Sequence, residues 1–427
     1  MKNKNKYWLV IYPYVFIFIK GDIVLFYNSK TASFTYCNAS EITNELNNKE
    51  NLYSIPICLK QLRDEKSHSL IYNLIHRECG ELIPFDNNGT KPLSIFPQLI
   101  IDDIHSDKSG DKNYKRFSEL KELTLFINGN CSSNCKNCSI SFKQHLWCHK
   151  QSGEISFEKI RNFLSFLPLS GVVKINITGG DIFNYSELKH LIIFLNQFSI
   201  IKNYLIHSTL ILDNANKLEW FVGGGDKFDI LFEPMCEKGL IKKVVEILSK
   251  NQISSRYIMV VTSDEDYEYA VYITDEYKID FEIVPLYTDK NLVFFEKNVF
   301  LNIDDILNNH VSMKEIFSHQ FVNTNNFGRF VLSHDEKIYA NVNDNFLGTI
   351  DDDVYRLVDL QLKKGSIWRN IRNNFVCSDC IYQWLCPSPS DYNFVLNRFN
   401  LCNIRIGNYT NAGIKIESNQ DQLINTK

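Results

Sequence analysis

The chain has 427 residues, of which 44% are hydrophobic, 22% charged and 13% aromatic, which is enough apolar material for buried cores and excludes a wholly disordered protein. Lys and Arg number 46 against 50 Asp and Glu, a net charge of -4, so no overall basic field attracts nucleic-acid backbones or anionic lipid. Twelve cysteines in so long a chain do not suit a short secreted disulfide scaffold, and their spacing must decide what they do.

At the start of the sequence Lys2, Lys4 and Lys6 precede an apolar run from Tyr7 to Ile19 with the outline of a signal peptide. The run is aromatic and β-branched, holds Pro13, and lacks a small-residue cleavage site before a second apolar run, Ile23 to Tyr27. Strands around the Lys20-Gly21-Asp22 turn account for it better. No other stretch approaches the roughly 18 uncharged apolar residues of a membrane span. A cytoplasmic protein with reduced thiols open to metals is therefore expected. Residues 7 to 90 read as one unit: this hairpin, a strand at Phe34 to Tyr36, a short helix from Ser40, and a helix from Ser67 to Glu78 that Gly80 stops. The polar stretch Asp102 to Arg116 reads as a linker.

From Glu119 short apolar strands alternate with helical spacing. The strands are expected at Leu123 to Ile127, Val172 to Ile177, Tyr204 to Leu212, Phe228 to Phe232, Tyr257 to Val261 and Phe281 to Val284. Helices are expected at Phe157 to Leu167, Leu188 to Phe198, Gly239 to Leu248 and Tyr267 to Tyr277. Repeated β-α units imply a parallel sheet, either doubly wound or a partial barrel, with its site at the C-terminal ends of the strands. Past about 295 the alternation fades into a hairpin-like stretch, Phe330 to Val342, and a second group of cysteines.

Cys131, Cys135 and Cys138 lie in GNCSSNCKNC, in the loop leaving the first of these strands. Three thiolates on one tight loop can hold three irons of a [4Fe-4S] cube and leave the fourth without a protein ligand. The other reading is zinc, with His145, Cys148 or His149 as a fourth ligand. The spacing and its place after the first strand resemble the radical S-adenosylmethionine (SAM) superfamily. That resemblance implies that the amino and carboxylate groups of SAM take the fourth iron, and that the reduced cluster cleaves SAM to a 5′-deoxyadenosyl radical. Thr178-Gly179-Gly180-Asp181 ends the second strand and is similar to the family's Gly-Gly-Glu motif. The resemblance makes Gly179, Gly180 and Asp181 receivers of the SAM amino group. The third strand runs into His207-Ser208-Thr209, where the family often carries a polar residue, and the resemblance implies that Ser208 reaches the SAM ribose or carboxylate. Asn137 stands where the family usually has an aromatic residue. Gly223-Gly224-Gly225 lacks the Lys-Ser/Thr of a phosphate cradle and reads as a loop.

Cys377, Cys380 and Cys386 form C-x2-C-x5-C, with Cys402 beyond. Four thiolates from one short segment can saturate a metal, as a structural zinc knot would. The run resembles the C-terminal SPASM domain of radical SAM peptide-modifying enzymes, which implies an auxiliary [4Fe-4S] cluster on these four cysteines. Ser390 stands where that family has a further cysteine. Cys37, Cys58, Cys79 and Cys236 stand alone and read as buried apolar residues or free thiols. The N-terminal unit resembles a PqqD-like element that holds a leader peptide along a strand edge; a plain small α+β domain is the alternative.

The expected fold class is α/β. Residues 1–115 form a PqqD-like, winged-helix-like α+β domain plus linker, and residues 116–295 a partial (β/α)6 radical SAM barrel. Residues 296–408 form a SPASM-like domain, and residues 409–427 a flexible tail. The resemblance implies a radical SAM enzyme that modifies a ribosomally made precursor peptide and takes electrons from a flavodoxin- or ferredoxin-type donor, with no nucleic-acid or membrane partner. The other reading is a catalytically silent radical SAM-like partner that binds peptide and assists an active maturase.

Overall fold

The computed structural model describes residues 6–38, 41–46, 53–86, 90–93, 117–133, 135–221 and 225–404. The expected linker from Asp102 to Arg116, the tail 409–427, Ser40, Gly223 and Gly224 lie outside the described residues.

The N-terminal unit contains two three-stranded antiparallel sheets. β1 (Lys6–Ile11) precedes a meander of β2 (Val15–Lys20), β3 (Ile23–Asn28) and β4 (Phe34–Asn38). β5 (Ser54–Cys58) and β6 (Gly80–Pro84) then return to flank β1. The run from Tyr7 to Ile19 thus serves two sheets: Pro13, which has no N–H to donate, breaks the pairing between β1 and β2. β5 was hidden in the sequence by Pro56, which an edge strand tolerates.

The helix Glu65–His76 starts where the Asp64 side chain accepts from the Ser67 N–H, and it buries Leu70, Ile71 and Leu74. Gly80 does not stop this helix, because the chain leaves it at Arg77. Gly80 instead opens β6, where a Cβ would stand 2.5 Å from the Val10 carbonyl oxygen of β1.

All six residues of β3 are buried, because the meander is covered on both faces. Val24, Phe26 and Cys37 face the core with β1, β5 and the helix. Phe16, Ile23, Leu25 and Tyr27 pack on Ile306, Leu307, Val311, Ile316, Ile381, Tyr382 and Leu385 near the second cysteine group. The fully buried Tyr27 Oη donates to the Asn309 carbonyl at 3.2 Å and accepts the Val311 N–H at 2.9 Å.

The large sheet follows the chain. β7 (Glu122–Phe126), β8 (Lys174–Thr178), β9 (Ile201–His207), β10 (Lys227–Phe232), β11 (Ser254–Val261) and β12 (Phe281–Pro285) are parallel and adjacent in sequence order. β13 (Arg329–Leu332) extends the sheet, parallel to β7, and β14 (Lys337–Tyr339) and β15 (Gly348–Thr349) follow antiparallel. The expected hairpin beyond 295 therefore continues the same sheet. The crossover helices Phe157–Phe163, Leu188–Leu195, Lys238–Lys250 and Asp264–Tyr277 share one core with Leu123, Ile175, Tyr204, Phe228 and Met259. A doubly wound sheet would divide these helices between its two faces. The opposite face is polar near the strand starts, with Glu122, Asn176, Asn203, Asp229 and Arg256 around one cavity.

The strand expected at 204 to 212 ends at His207, and Ser208–Asp213 is helical. The cause is local: the His207 ring accepts from the Thr209 N–H and caps the helix. Among the described residues no helix is long and apolar enough to cross a membrane.

Tyr27→Phe removes one donor and leaves the buried Val311 N–H without its acceptor, so unfolding free energy is expected to fall by about 1–3 kcal/mol. Urea unfolding of the two proteins measures this; unchanged stability would mean that the two segments do not dock through Tyr27.

Candidate functional site

The loop after β7 is stitched by backbone to the turn after β8. The Gly180 N–H donates to the Asn128 carbonyl at 2.9 Å, the Asp181 N–H to that of Asn130 at 2.6 Å, and the His149 N–H to that of Gly179 at 2.8 Å. A Cβ on Gly179 would stand 2.6 Å from the Asn128 carbonyl oxygen, and one on Gly180 2.6 Å from that of Gly129. The paired glycines let these two loops touch.

This stitching opens a cavity of about 220 Å³ at the C-terminal end of the sheet. Cys131, Cys135, Cys138, Cys148, Gly180 and His207 line it. The helix Cys138–His145 leaves from the third cysteine. The Cys138 thiol is pushed up by burial, offset in part by the Lys150 N–H that donates to its Sγ at 3.2 Å. Burial and the other three thiols push Cys148 up further.

Asp181 is only 3% exposed and is absent from the cavity wall. Its Oδ1 accepts the Phe183 N–H at 3.0 Å and its own carbonyl accepts from the Asn128 side chain at 2.9 Å. Burial raises its pKa, while the Phe183 bond and Lys217 work the other way. Ser208 is wholly buried, its hydroxyl without a hydrogen-bond partner among the described residues, and is likewise absent from the wall. Of the four residues expected to touch SAM, Gly180 alone lines the cavity.

Other residues line or adjoin it. Of the three possible zinc ligands in the sequence, the structure brings Cys148 and His149 beside the motif cysteines, whereas His145 lines the polar cavity instead. Burial holds the His145 ring down at about 4. His207, not Ser208, faces the cysteines, as strand alternation with Asn203 and Leu205 would have indicated. Glu233, one residue beyond β10, places Oε1 3.5 Å from His207 Nε2. No motif marks it; only the strand end does.

On the polar face, Asn203 donates to Asp229 at 2.6 Å, Arg256 Nε donates to Asp229 at 2.9 Å, and Asn176 donates to Glu122 at 2.6 Å. Glu122 also pairs with Lys174 and Arg329, each at 3.3 Å. Asp391 closes this cavity, its carboxyl pushed up to about 6 by burial. The whole is a cavity of about 270 Å³ with paired charges.

Cys377, Cys380, Cys386 and Cys402 line one small cavity together with Arg372. Cys402 arrives through a parallel bridge to Leu301, where the Asn403 N–H donates to the Leu301 carbonyl at 2.9 Å. Burial pushes Cys380 up to about 11 and Cys386 to about 12. Such thiols ionise readily only when a cation stabilises the thiolate. Arg372, 7% exposed, has Nη1 4.0 Å from Cys377 Sγ, and Asn400 Nδ2 is 3.4 Å from Cys402 Sγ. Ser390 caps the helix Asp391–Val395 in a capping box with Asn393.

No protein-family model matches the chain, and no curated protein matches it. Among solved structures, the chain is similar to Streptococcus suis SuiB bound to S-adenosylmethionine, at 12% identity over 92% of this chain and 98% of that one, with a TM-score of 0.43. It is similar to the same protein bound to its precursor peptide SuiA, at 12% identity and the same coverage, with a TM-score of 0.44. BtrN in complex with AdoMet and 2-DOIA is similar at 10% identity over 62% of this chain and 92% of that one, with a TM-score of 0.26. These likenesses are of overall arrangement and carry no residue correspondence.

Asp181→Ala is expected to lose about 1 kcal/mol of stability through the lost cap, and Asp181→Asn less, because it keeps an acceptor. Thermal unfolding and SAM titration of both variants separate the roles. Full stability with lost SAM affinity in the Asn variant would put the carboxylate on the ligand instead.

Proposed function

We propose that the chain is a radical SAM enzyme that modifies a ribosomally synthesised precursor peptide. The observation that carries this reading is the cavity at the C-terminal end of the parallel sheet, where Cys131, Cys135 and Cys138 from one loop meet Gly180 and His207.

The donor set suits a [4Fe-4S] cluster. Three thiols from a single tight loop face one space, and a buried imidazole Nε2 in the same wall has no hydrogen-bond partner among the described residues. Cys131, Cys135 and Cys138 would hold the cluster, which, reduced by one electron from an external donor and with SAM bound, would supply radical chemistry for hydrogen-atom removal from the peptide. Gly180 lines the cavity and its stitched turn keeps the loop in place, while Leu210 gives the wall an apolar side. Cys377, Cys380, Cys386 and Cys402 would hold a second, auxiliary cluster, its negative charge balanced in part by Arg372. Phe375 and Val376, exposed immediately before Cys377, offer an apolar approach for a flavodoxin- or ferredoxin-type electron donor.

The peptide would be captured on the N-terminal unit as in PqqD-like elements. β4 is the edge of its sheet, and between it and the helix Glu65–His76 runs a groove lined by Cys37, Asn38, Glu65, Lys66, Ser69 and Asn73. A leader strand could pair along β4 and seat side chains in the groove. Ser69 is exposed on the groove wall, so Ser69→Trp should fill the groove without disturbing the fold. It is expected to weaken binding of the cognate leader by at least tenfold, read by fluorescence anisotropy, while SAM cleavage without peptide stays at the wild-type rate. Parallel loss of both activities would make this unit a structural part of the enzyme only.

The catalytically silent reading draws on Cys148, a fourth thiol in the cavity wall, which could close the coordination that SAM needs. One assay separates the two. Anaerobically reconstituted protein is expected to hold about eight irons, to lose about half of them when Cys131, Cys135 and Cys138 are all changed to Ala, and to release 5′-deoxyadenosine on reduction with dithionite. Zinc in place of iron, or intact iron with no 5′-deoxyadenosine above the triple variant, would overturn the enzymatic reading.

A further inference from the structure

The edge of the first cavity carries chemistry that the proposed function leaves unassigned. Among the described residues, Cys135, His207 and Glu233 form a group of ligand-type side chains whose donor atoms all lie within 4.8 Å of one another. His207 is the buried member, 5% exposed. Its two ring nitrogens are in unlike positions. Nδ1 is committed to the start of the next helix: it accepts the Thr209 N–H at 3.4 Å and bonds the Thr209 hydroxyl at 2.8 Å. With Nδ1 accepting, the neutral ring carries its proton on Nε2, and the imidazolium carries one there as well. Nε2–H is therefore a donor in either state. Among the described residues it faces Cys135 and Glu233 without a hydrogen bond of good geometry, the Glu233 oxygen lying 3.5 Å away. A buried donor left so poorly satisfied is costly. A thiolate bound to iron keeps more negative charge than a thiol, and is the acceptor this position lacks.

We infer that His207 donates a hydrogen bond from Nε2–H to the Cys135 thiolate, and so sets the reduction potential of the cluster on that loop. The inference rests on the proposed cluster at Cys131, Cys135 and Cys138. Hydrogen bonds to ligating sulfur draw density from it and favour the more negative, reduced cluster, which raises the potential. Glu233 approaches the same nitrogen, its Oε1 3.5 Å from Nε2, so it stands beside the Cys135 contact as the alternative acceptor for that one N–H. His207 belongs to the fold as a cap and to the site as a donor through different atoms, so the two roles can be separated by substitution.

The test is an anaerobic redox titration of the full chain without SAM, followed by electron paramagnetic resonance. The triple variant of Cys131, Cys135 and Cys138 supplies the second cluster's spectrum for subtraction. His207→Asn keeps a capping acceptor but cannot reach Cys135, whereas His207→Gln keeps an N–H near the place of Nε2. At a fixed potential the Asn variant is expected to show a reduced-to-oxidised ratio about tenfold below wild type, or 59 mV for one electron, with the Gln variant restored to within about threefold. In wild-type protein labelled with 15N-histidine, the reduced cluster is expected to show a weak nitrogen coupling of the strength a hydrogen-bonded imidazole gives, and this decides the matter if the Asn variant takes up no cluster. Equal potentials in wild type and the Asn variant, no nitrogen coupling, or the strong coupling of a directly ligated imidazole would each overturn the inference while leaving the cluster in place. A wild-type protein with no reducible cluster on the first loop would overturn the proposed function as well.

Discussion

The contact on which the site depends is backbone against backbone. Where β7 and β8 end, the segment 128–130 and the turn at Gly179 and Gly180 approach so closely that neither glycine has space for a Cβ. Two backbone hydrogen bonds cross this seam, from Gly180 to Asn128 and from Asp181 to Asn130, and the His149 N–H binds the Gly179 carbonyl beside them, so the cysteine loop is fixed over the strand ends. The glycines read at first as room for a ligand, and one of them does line the cavity. Their tighter constraint comes from the protein itself. Any side chain there would push the two loops apart and scatter the thiols on which the proposed cluster would rest.

A second constraint joins the ends of the chain. The N-terminal meander buries one face against its own helix and the other against the segments that carry Cys380 and Cys386. Tyr27 sits in this double core with both of its polar partners on residues nearly 300 positions away. The groove along β4 and the second cysteine cavity are consequently joined by packing, with the β3 side chains between them. Deleting the N-terminal unit would expose that apolar face, which is why point substitutions in the groove are the cleaner probe.

The polar face of the large sheet is organised by compensation. Glu122 receives Asn176, Lys174 and Arg329, and Asp229 receives Asn203 and Arg256. Charges held this way keep a water-accessible space open inside the sheet, since paired groups satisfy one another without collapse into an apolar core.

Alternation of apolar strands and amphipathic helices made the parallel sheet legible from residue 119 onward, because each unit's pattern is set by its own burial. The cysteine spacings and the Gly-Gly-Asp turn were legible too, since chemistry fixes the residue types. β1 and β5 were not, as Pro13 divides one apolar run between two sheets and Pro56 sits on an edge. The strand reading past His207 failed because a side-chain cap, invisible to periodicity, turns the chain into a helix. The roles of Cys148, His207 and Glu233, and the burial of Asp181, could be read only in three dimensions. They depend on which side chains meet when distant strand ends are brought side by side, and composition along a chain carries no such distances. What the sequence determined by itself was the set of local elements and the thiols available to a metal; the tertiary structure decided which of them share a wall, because packing and not spacing chooses the neighbours.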